Sequence, residues 1–360
     1  MYDAFFSAII KEFDLKKYDV DIVAVLHILP DSIPFVRALS HIGDIGVIIP
    51  KPKSINKNSL KELETFPIRQ IGRDNICNVL KDLSRDTVFL DIGGYFSGIV
   101  DEIRAALGES FLGIIEDTEN GLQRYENLDE IVFPFLSVAR SPLKDNEDVM
   151  VGQAVAFSAE ALLREHSILF NGLRVGVIGY GKIGKSVAQS VELKHGNAMV
   201  YDKDNVRLTH ALSSGFEISG IENLLGLCDV VCLATGNKSL SSNDFSKLKN
   251  ASWVFSVTSS DDEIDKEWLN FNYAQERISK YAVKYSKGDH YFYLLNEGDA
   301  VNFIHDAVVG DYILLVQAEL LLSAYSLIAK NAGNLQREMS SDVRDRICRI
   351  WLSIFSKNIL

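Results

Sequence analysis

The chain has little cysteine and little proline, 4 and 7 among 360 residues, and its basic residues are outnumbered by acidic ones, 37 to 49. Cys77, Cys228, Cys232 and Cys348 form no CxxC pair and no regular framework. That excludes a disulfide scaffold and fits free thiols in a reducing cytoplasm. Cys232 sits in an apolar, strand-like run, so it reads as a small core residue, and no metal is expected. With few prolines, 47% apolar and 24% charged residues, wholesale disorder is excluded. The net charge of −12 keeps the chain soluble and argues against nucleic acid or an anionic membrane as a main partner, although it leaves room for a local basic pocket. Long uninterrupted apolar runs are missing too. The longest, Tyr312 to Ala329, contains Gln317 and Glu319 and reads as a buried helix, not a membrane span. Near its start the chain carries Asp3 and Lys11 without a basic leader, so no signal peptide is expected.

What is present is an alternation of strand-like and helix-like runs. A chain of 360 residues exceeds what one core usually supports, so two domains are expected. Ile22 to Leu26, Ile45 to Ile49, Thr87 to Leu90 and Phe111 to Ile115 read as strands, with a helix at Pro34 to Ile42. The third ends at Asp91 and a Gly93-Gly94 pair, and the fourth at Glu116, Asp117 and Glu119. Such alternation predicts an α/β fold with a parallel sheet covered on both faces, binding ligands at the carboxyl ends of its strands.

The clearest motif follows a helical stretch, Asp148 to Arg164. Arg174 to Ile178 reads as a strand, then come Gly179-Tyr180-Gly181-Lys182-Ile183-Gly184, a helix to about Leu193, and a strand Ala198 to Tyr201 ending at Asp202. A lone GxGxxG is weak, but here the strand, the helix and the acidic residue are all in place. Gly179 permits the tight turn, Gly181 lets the backbone approach a pyrophosphate, and Gly184 lets helix pack on strand. The pyrophosphate of NAD would rest on the helix N-terminus. Asp202 would accept hydrogen bonds from the adenosine ribose and repel a 2′-phosphate, so NAD is preferred to NADP, a preference that Lys203 and Arg207 weaken slightly. Further strands are expected at Asp229 to Ala234, ending in Thr235-Gly236, at Ser252 to Val257, and at Tyr291 to Leu295, with helices Tyr312 to Lys330 and Ser341 to Phe355 after Asn302.

With these motifs the chain resembles the S-adenosylhomocysteine hydrolases (adenosylhomocysteinases). Gly179-Tyr180-Gly181 through Gly184-Lys185 to Ala188-Gln189 looks like the family's GYGxxGKxxAQ. Glu116 to Gly121 is similar to EETTTG, Leu26-His27-Ile28 to LHM, and Asp91-Ile92-Gly93-Gly94 to DDGG. Thr235-Gly236, Asp261 with Glu263-Ile264-Asp265, Glu297-Gly298 and Val301-Asn302 follow in family order, over roughly residues 20 to 320. The resemblance implies a tightly held NAD that oxidises the 3′-hydroxyl of a nucleoside, acidifies the neighbouring proton for elimination of a thiol, and is regenerated. It implies that Lys144 and, four residues on, Asp148 hold and deprotonate the sugar hydroxyls. A competing register sets Arg140 at the lysine position and Lys144 at the aspartate position. Asp117 matches a glutamate near the ribose, Asn302 an asparagine near the nicotinamide carboxamide, and His27 the histidine of the N-terminal segment.

Departures from the family fall on elimination and adenine recognition. Ile92 replaces the second aspartate of DDGG, Ser259 a histidine, Leu29 a threonine that reads adenine, and Gln153 a cysteine, while Asp31 stands at an acidic position. The segment carrying the second active-site histidine has no clear counterpart, with His305 nearby, and the family's Lys–Tyr tail is absent, the chain ending in Asn358-Ile359-Leu360. The reading is an adenosylhomocysteinase-like NAD enzyme that oxidises a hydroxyl of a nucleoside- or sugar-like small molecule. Two alternatives are a non-catalytic NAD-binding protein and a D-2-hydroxy acid dehydrogenase; Ser252 to Asp265 lacks the arginine the latter needs. The expected architecture is a Rossmann-type NAD domain, residues 156–304, and a discontinuous α/β substrate domain, residues 1–155 with 305–360. A homodimer is expected, with Val343, Ile347, Ile350, Trp351 and Phe355 as its apolar face, unless that stripe covers its own domain.

Overall fold

The computed structural model describes residues 1–83, 85–128, 130–258, 263–330 and 337–356; Ser259, Asp261 and Asn358-Ile359-Leu360 lie outside them. The chain forms two compact units, Met1–Asn146 with Gly310–Leu360, and Glu147–Val309. These boundaries differ from the expected breaks at 155/156 and 304/305. The first falls inside a single helix, Pro142–Arg164, whose pattern carries no breaker to mark it.

Among the described residues the first unit holds a five-stranded sheet: β1 (Asp21–Ile28), β2 (Asp44–Ile55), β3 (Thr87–Asp91), β4 (Phe111–Glu116) and β5 (Phe135–Ser137), in the order β2-β1-β3-β4-β5. All neighbours are parallel. The middles of β1, β3 and β4 are continuous buried apolar runs, as a parallel sheet covered by helices requires. Ile22 to Val25 and Phe89 to Leu90 are fully buried. The helical stretch Gly310–Ile328, which contains helix Ile313–Ile328, is long and apolar enough to cross a membrane by composition. Its Leu314, Leu321 and Ala324 are instead buried in the core of the first unit, where it packs against β3 and β4. Each such leucine contributes roughly 1.5–3 kcal/mol.

Helix Ser341–Phe355 starts at its Ser340 cap, whose hydroxyl accepts from the Val343 amide. The stripe expected to pair two chains is used within the unit. Ile347 is fully buried, Trp351 stacks on Tyr312 at 5.2 Å, and Phe355 meets the rings of Tyr2 and Phe5. The periodicity was that of an inward face, and the sequence carried no sign of its partner.

Among the described residues the second unit is built on an eight-stranded sheet. Its strands are β6 (Arg174–Ile178), β7 (Asn197–Tyr201), β8 (Glu217–Ile218), β9 (Val230–Leu233), β10 (Trp253–Ser256), β11 (Ala274–Ser279), β12 (Ala282–Lys287) and β13 (His290–Leu295), in the order β11-β12-β13-β10-β9-β6-β7-β8. From β8 to β13 neighbours are parallel, and β11 and β12 extend the edge as an antiparallel hairpin. The chain leaves β6 outward to β7 and returns to β9 on its other side. That reversal opens a crevice at the carboxyl ends of β6 and β9, where such sheets bind dinucleotides.

Candidate functional site

The glycine motif sits at this crevice, and each glycine has a separate physical reason. Gly179 follows β6 with φ +99°, a conformation open to glycine, and a Cβ there would lie 2.5 Å from the carbonyl oxygen of Ala234 just after β9. Gly184 lies against that turn; its Cβ would fall 1.9 Å from the Gly179 carbonyl oxygen. Gly181 is different. It caps the helix Lys182–Leu193 without a side-chain cap bond, and a Cβ would meet only Arg207 Nη1, at 3.7 Å. The open space over Gly181, with free amides at a helix N-terminus, fits a dinucleotide pyrophosphate.

Asp202, just beyond β7, is buried. Its Oδ2 accepts the Tyr180 amide at 2.7 Å and its Oδ1 the Asp204 amide at 2.9 Å. Each oxygen keeps a second lone pair for a ribose hydroxyl. Arg207 Nη1 stands 3.6 Å from Asp202 Oδ2, so this arginine lies between the carboxylate and the open face of Gly181.

On the other side of the crevice, Thr235 and Gly236 follow β9. Both are held by Glu263, a residue without exposure: Thr235 Oγ1 donates to its Oε2 at 2.9 Å and the Gly236 amide to its Oε1 at 2.7 Å. The hydroxyls of Thr258 and Ser239 donate to it as well. Burial pushes the Glu263 carboxyl above its usual range. Sequence reasoning placed Glu263 only by its family order; its role as the clamp on the Thr235-Gly236 loop needed four partners spread over 28 positions. Asn302 follows the end of β13, near the bridge between Ser256 and Ala300. It is buried, and among the described residues its Oδ1 has no hydrogen-bond partner. An unsatisfied buried acceptor at a carboxyl strand edge fits a donor such as a carboxamide.

In the first unit the carboxyl edge gathers a second set. His27 is the next-to-last residue of β1, and its Nδ1 bonds the Ser54 hydroxyl of β2. Burial first, then the charges of Lys51 and Lys144, hold His27 well below its usual pKa, so it is neutral. Lys51 Nζ donates to the Ile92 carbonyl at 3.1 Å, and Arg73 Nη2 donates to the Gly93 carbonyl at 2.8 Å. Two carboxylates are sealed beneath. Asp91 accepts the amides of Tyr95 and Phe96 and the Tyr125 hydroxyl, while Glu116 accepts the amides of Gly93, Gly94 and Thr118. Burial, with the Asp91 charge added, pushes Glu116 up to about 8, and burial raises Asp91 too.

Lys144 is the buried cation of this edge. Its Nζ donates to Asp117 Oδ1 at 2.9 Å, and both side chains are almost wholly buried. A solvated lysine beside Asp145 and Glu147 is thereby excluded. Arg140, the alternative in the competing register, is exposed and forks onto Glu119 and Glu126. Asp148 lies one turn beyond Lys144 on the same helix and is buried, its Oδ2 3.8 Å from Lys182 Nζ. That part of the helix is docked by Gly152, whose Cβ would lie 2.4 Å from Ser186 Cβ, and by the Ser186 hydroxyl donating to the Val149 carbonyl at 2.6 Å. The departures also have places. Ile92 is buried, Asp31 accepts from Gln317 Nε2 at 2.9 Å, and His305 Nδ1 meets the Ser158 hydroxyl at 3.0 Å.

Residues 156–307 match the family described as S-adenosyl-L-homocysteine hydrolase, NAD binding domain. The chain is 26% identical over 268 residues to the adenosylhomocysteinase of Archaeoglobus fulgidus, covering 73% of this chain and 64% of that protein. It is 24% identical over 284 residues to that of Thermoplasma acidophilum, covering 74% and 67%. The match thus spans about two thirds of these relatives' length. Among solved structures, a phosphoglycerate oxidoreductase from Vibrio cholerae overlaps it with a TM-score of 0.42 at 13% identity, over 70% of this chain and 78% of that one. The NAD-complexed D-isomer specific 2-hydroxyacid dehydrogenase from Lactobacillus delbrueckii ssp. bulgaricus overlaps with a TM-score of 0.36 at 14% identity, over 69% and 74%. The fold is α/β with a Rossmann-type sheet, its cofactor is NAD, and residues 156–307 are similar to the NAD binding domain of the S-adenosyl-L-homocysteine hydrolases.

Proposed function

We propose that this chain oxidises a hydroxyl of a small nucleoside- or sugar-like molecule with its bound NAD, and that it has lost the hydrolysis that defines its relatives. NAD supplies the hydride acceptor. Gly179, Tyr180, Gly181, Lys182, Ile183 and Gly184 hold its pyrophosphate, Asp202 its adenosine ribose, and Thr235, Gly236 and Asn302 its nicotinamide half. The observation that carries the reading is the buried Lys144–Asp117 pair, because a protein that only binds a cofactor needs no buried lysine at the strand edge of its other unit. Lys144 passes one of its ammonium protons to Asp117, to which it already donates, and takes the proton of the reacting hydroxyl in its place. Asp148, one turn on, takes the neighbouring hydroxyl, and neutral His27 offers a further hydrogen bond to the sugar.

Hydrolysis is excluded from the proposal by Ile92. At the position of the second DDGG aspartate it is buried and apolar and cannot relay a proton. That same residue favours the second reading, a non-catalytic NAD-binding protein. The two are separated by mixing the purified protein with candidate hydroxyl compounds and watching for reduced nicotinamide. Its appearance in wild type and its loss in Lys144→Met supports the enzyme; no signal with any compound supports the binding protein. We place the protein in the cytoplasm as a homo-oligomer, with a dimer interface elsewhere than on helix Ser341–Phe355.

A further inference from the structure

A cationic pair on the first unit stands apart from the residues assigned to hydroxyl oxidation. Lys51 and Arg73 come from different segments, yet both converge on Gly93. A Cβ built there would lie 3.1 Å from Lys51 Nζ and 3.8 Å from Arg73 Nη2. Each cation is tied to an adjacent backbone carbonyl, Lys51 to Ile92 and Arg73 to Gly93. Both lie over the ring of Tyr95, at 5.6 Å and 4.8 Å from its centroid. Among the described residues no carboxylate lies within ion-pairing distance of Arg73, whose partners are a carbonyl and a ring. The acids beneath the pair, Asp91 and Glu116, have their oxygens on backbone amides and hydroxyls. Gly93 itself has φ +97°, which keeps a side chain out of the space between the two cations.

Arg73 keeps guanidinium donors beyond its one carbonyl bond, and an oxyanion that accepts from them at Gly93 is also attracted by the Lys51 ammonium beside it. Carbonyl anchoring also fixes their geometry in advance, so little freedom is lost on binding. The position is at the carboxyl edge of β2 and β3, where a parallel sheet receives its ligand. His27, on the neighbouring β1, feels the charges of both Lys51 and Lys144, so the pair and the proposed base serve one surface.

We propose that Lys51 and Arg73, braced on Tyr95 around Gly93, bind an oxyanion substituent, carboxylate or phosphate, of the molecule whose hydroxyl is oxidised. The proposal rests on the reading above for the hydroxyl, and adds the class of substrate: an anionic polyol derivative. The acidic chain as a whole repels such a molecule, so this local patch sets where it lands.

The test titrates inorganic phosphate, and in a parallel arm malonate, into the NAD-loaded full chain by calorimetry, for wild type, Lys51→Met, Arg73→Ala and Lys51→Arg. Saturable binding is expected in wild type, weakened roughly 10- to 100-fold in Lys51→Met and Arg73→Ala and largely kept in Lys51→Arg. The tighter of the two anions names the class. No saturable binding of either anion, or equal binding in all four proteins, overturns the site. The outcome is independent of hydroxyl oxidation. If no compound reduces the cofactor but anion affinity falls as described, the catalytic reading fails and the anion site stands. If phosphorylated and unphosphorylated polyols reduce it equally and the substitutions change no anion affinity, the anion site fails and the catalytic reading stands.

Discussion

Lys144 Nζ and Asp117 Oδ1 close at 2.9 Å in a nearly water-free part of the first unit. The pair joins the start of helix Pro142–Arg164 to the loop after β4, two segments 27 positions apart. Removing Lys144 takes the cation from the buried Asp117 carboxylate, and breaking a buried pair typically costs about 3–5 kcal/mol. Lys144→Met is therefore expected to lower the melting temperature as well as the rate of cofactor reduction, the latter by about two to four orders of magnitude. Asp117→Asn keeps the shape and a hydrogen bond, so it should lose less stability than Lys144→Met. Melting curves and stopped-flow absorbance on the same samples separate the two effects. A Lys144→Met protein as stable as wild type would show that the pair is not buried as described.

The glycines of the cofactor motif make opposite predictions. Gly184→Ala forces a methyl to 1.9 Å from a backbone oxygen, so the helix must shift and the fold should be destabilised by several kcal/mol or not form. Gly181→Ala meets nothing closer than 3.7 Å and should melt close to wild type, yet weaken NAD by about tenfold or more because its methyl occupies the pyrophosphate's space. Equal NAD affinity in Gly181→Ala and wild type would remove the pyrophosphate from this turn.

Asp202→Ala should weaken NAD more than NADP, because the carboxylate that accepts from the ribose also repels a 2′-phosphate. Arg207, 3.6 Å from that carboxylate, would then keep only its longer pairing with Asp204 and be freer to meet a 2′-phosphate, which sharpens the contrast. Calorimetry with both cofactors gives the ratio, and equal losses contradict the assignment.

Stability should fall as pH rises through the range set by Glu116. Its carboxyl is ordinary in the unfolded chain, at 4.5, and pushed up to about 8 in the folded one by burial and by Asp91. Below the unfolded value both states are protonated and the full stability is present. Between about 4.5 and 8 the unfolded state releases the proton and the folded state keeps it, so stability is lost with rising pH. Glu116→Gln should be less stable at low pH, since it gives up an acceptor for the Gly93 or Gly94 amide, and should flatten the slope. Melting temperature against pH for the two proteins checks both points.

The features legible in the sequence are those enforced by local geometry. Gly179, Gly181, Gly184 and Asp202 lie within 24 consecutive positions because one strand, one turn and one helix demand them. Strand β6 matches its expected span, Arg174 to Ile178, since its apolar run ends sharply at a glycine. Hairpin β11–β12 was not expected. Strand β11 is an exposed edge of mixed polar residues with no alternation to read. The clamp of Glu263, the amide-locked Glu116 and the meeting of Lys51 with Arg73 were equally hidden, because each joins segments that only the folded sheet brings side by side. Lys144 and Arg140 differ in burial, the first buried and the second exposed, and spacing alone does not show that difference.

The most direct test is rapid mixing of the NAD-loaded protein with a panel of nucleosides, sugars and their phosphorylated forms, followed at the reduced-nicotinamide absorbance band. Reduction of bound NAD by at least one hydroxyl compound, abolished in Lys144→Met while NAD stays bound, is the predicted result. A Lys144→Met protein that reduces its cofactor as fast as wild type, or a wild type that reduces it with none of the panel, would contradict the account.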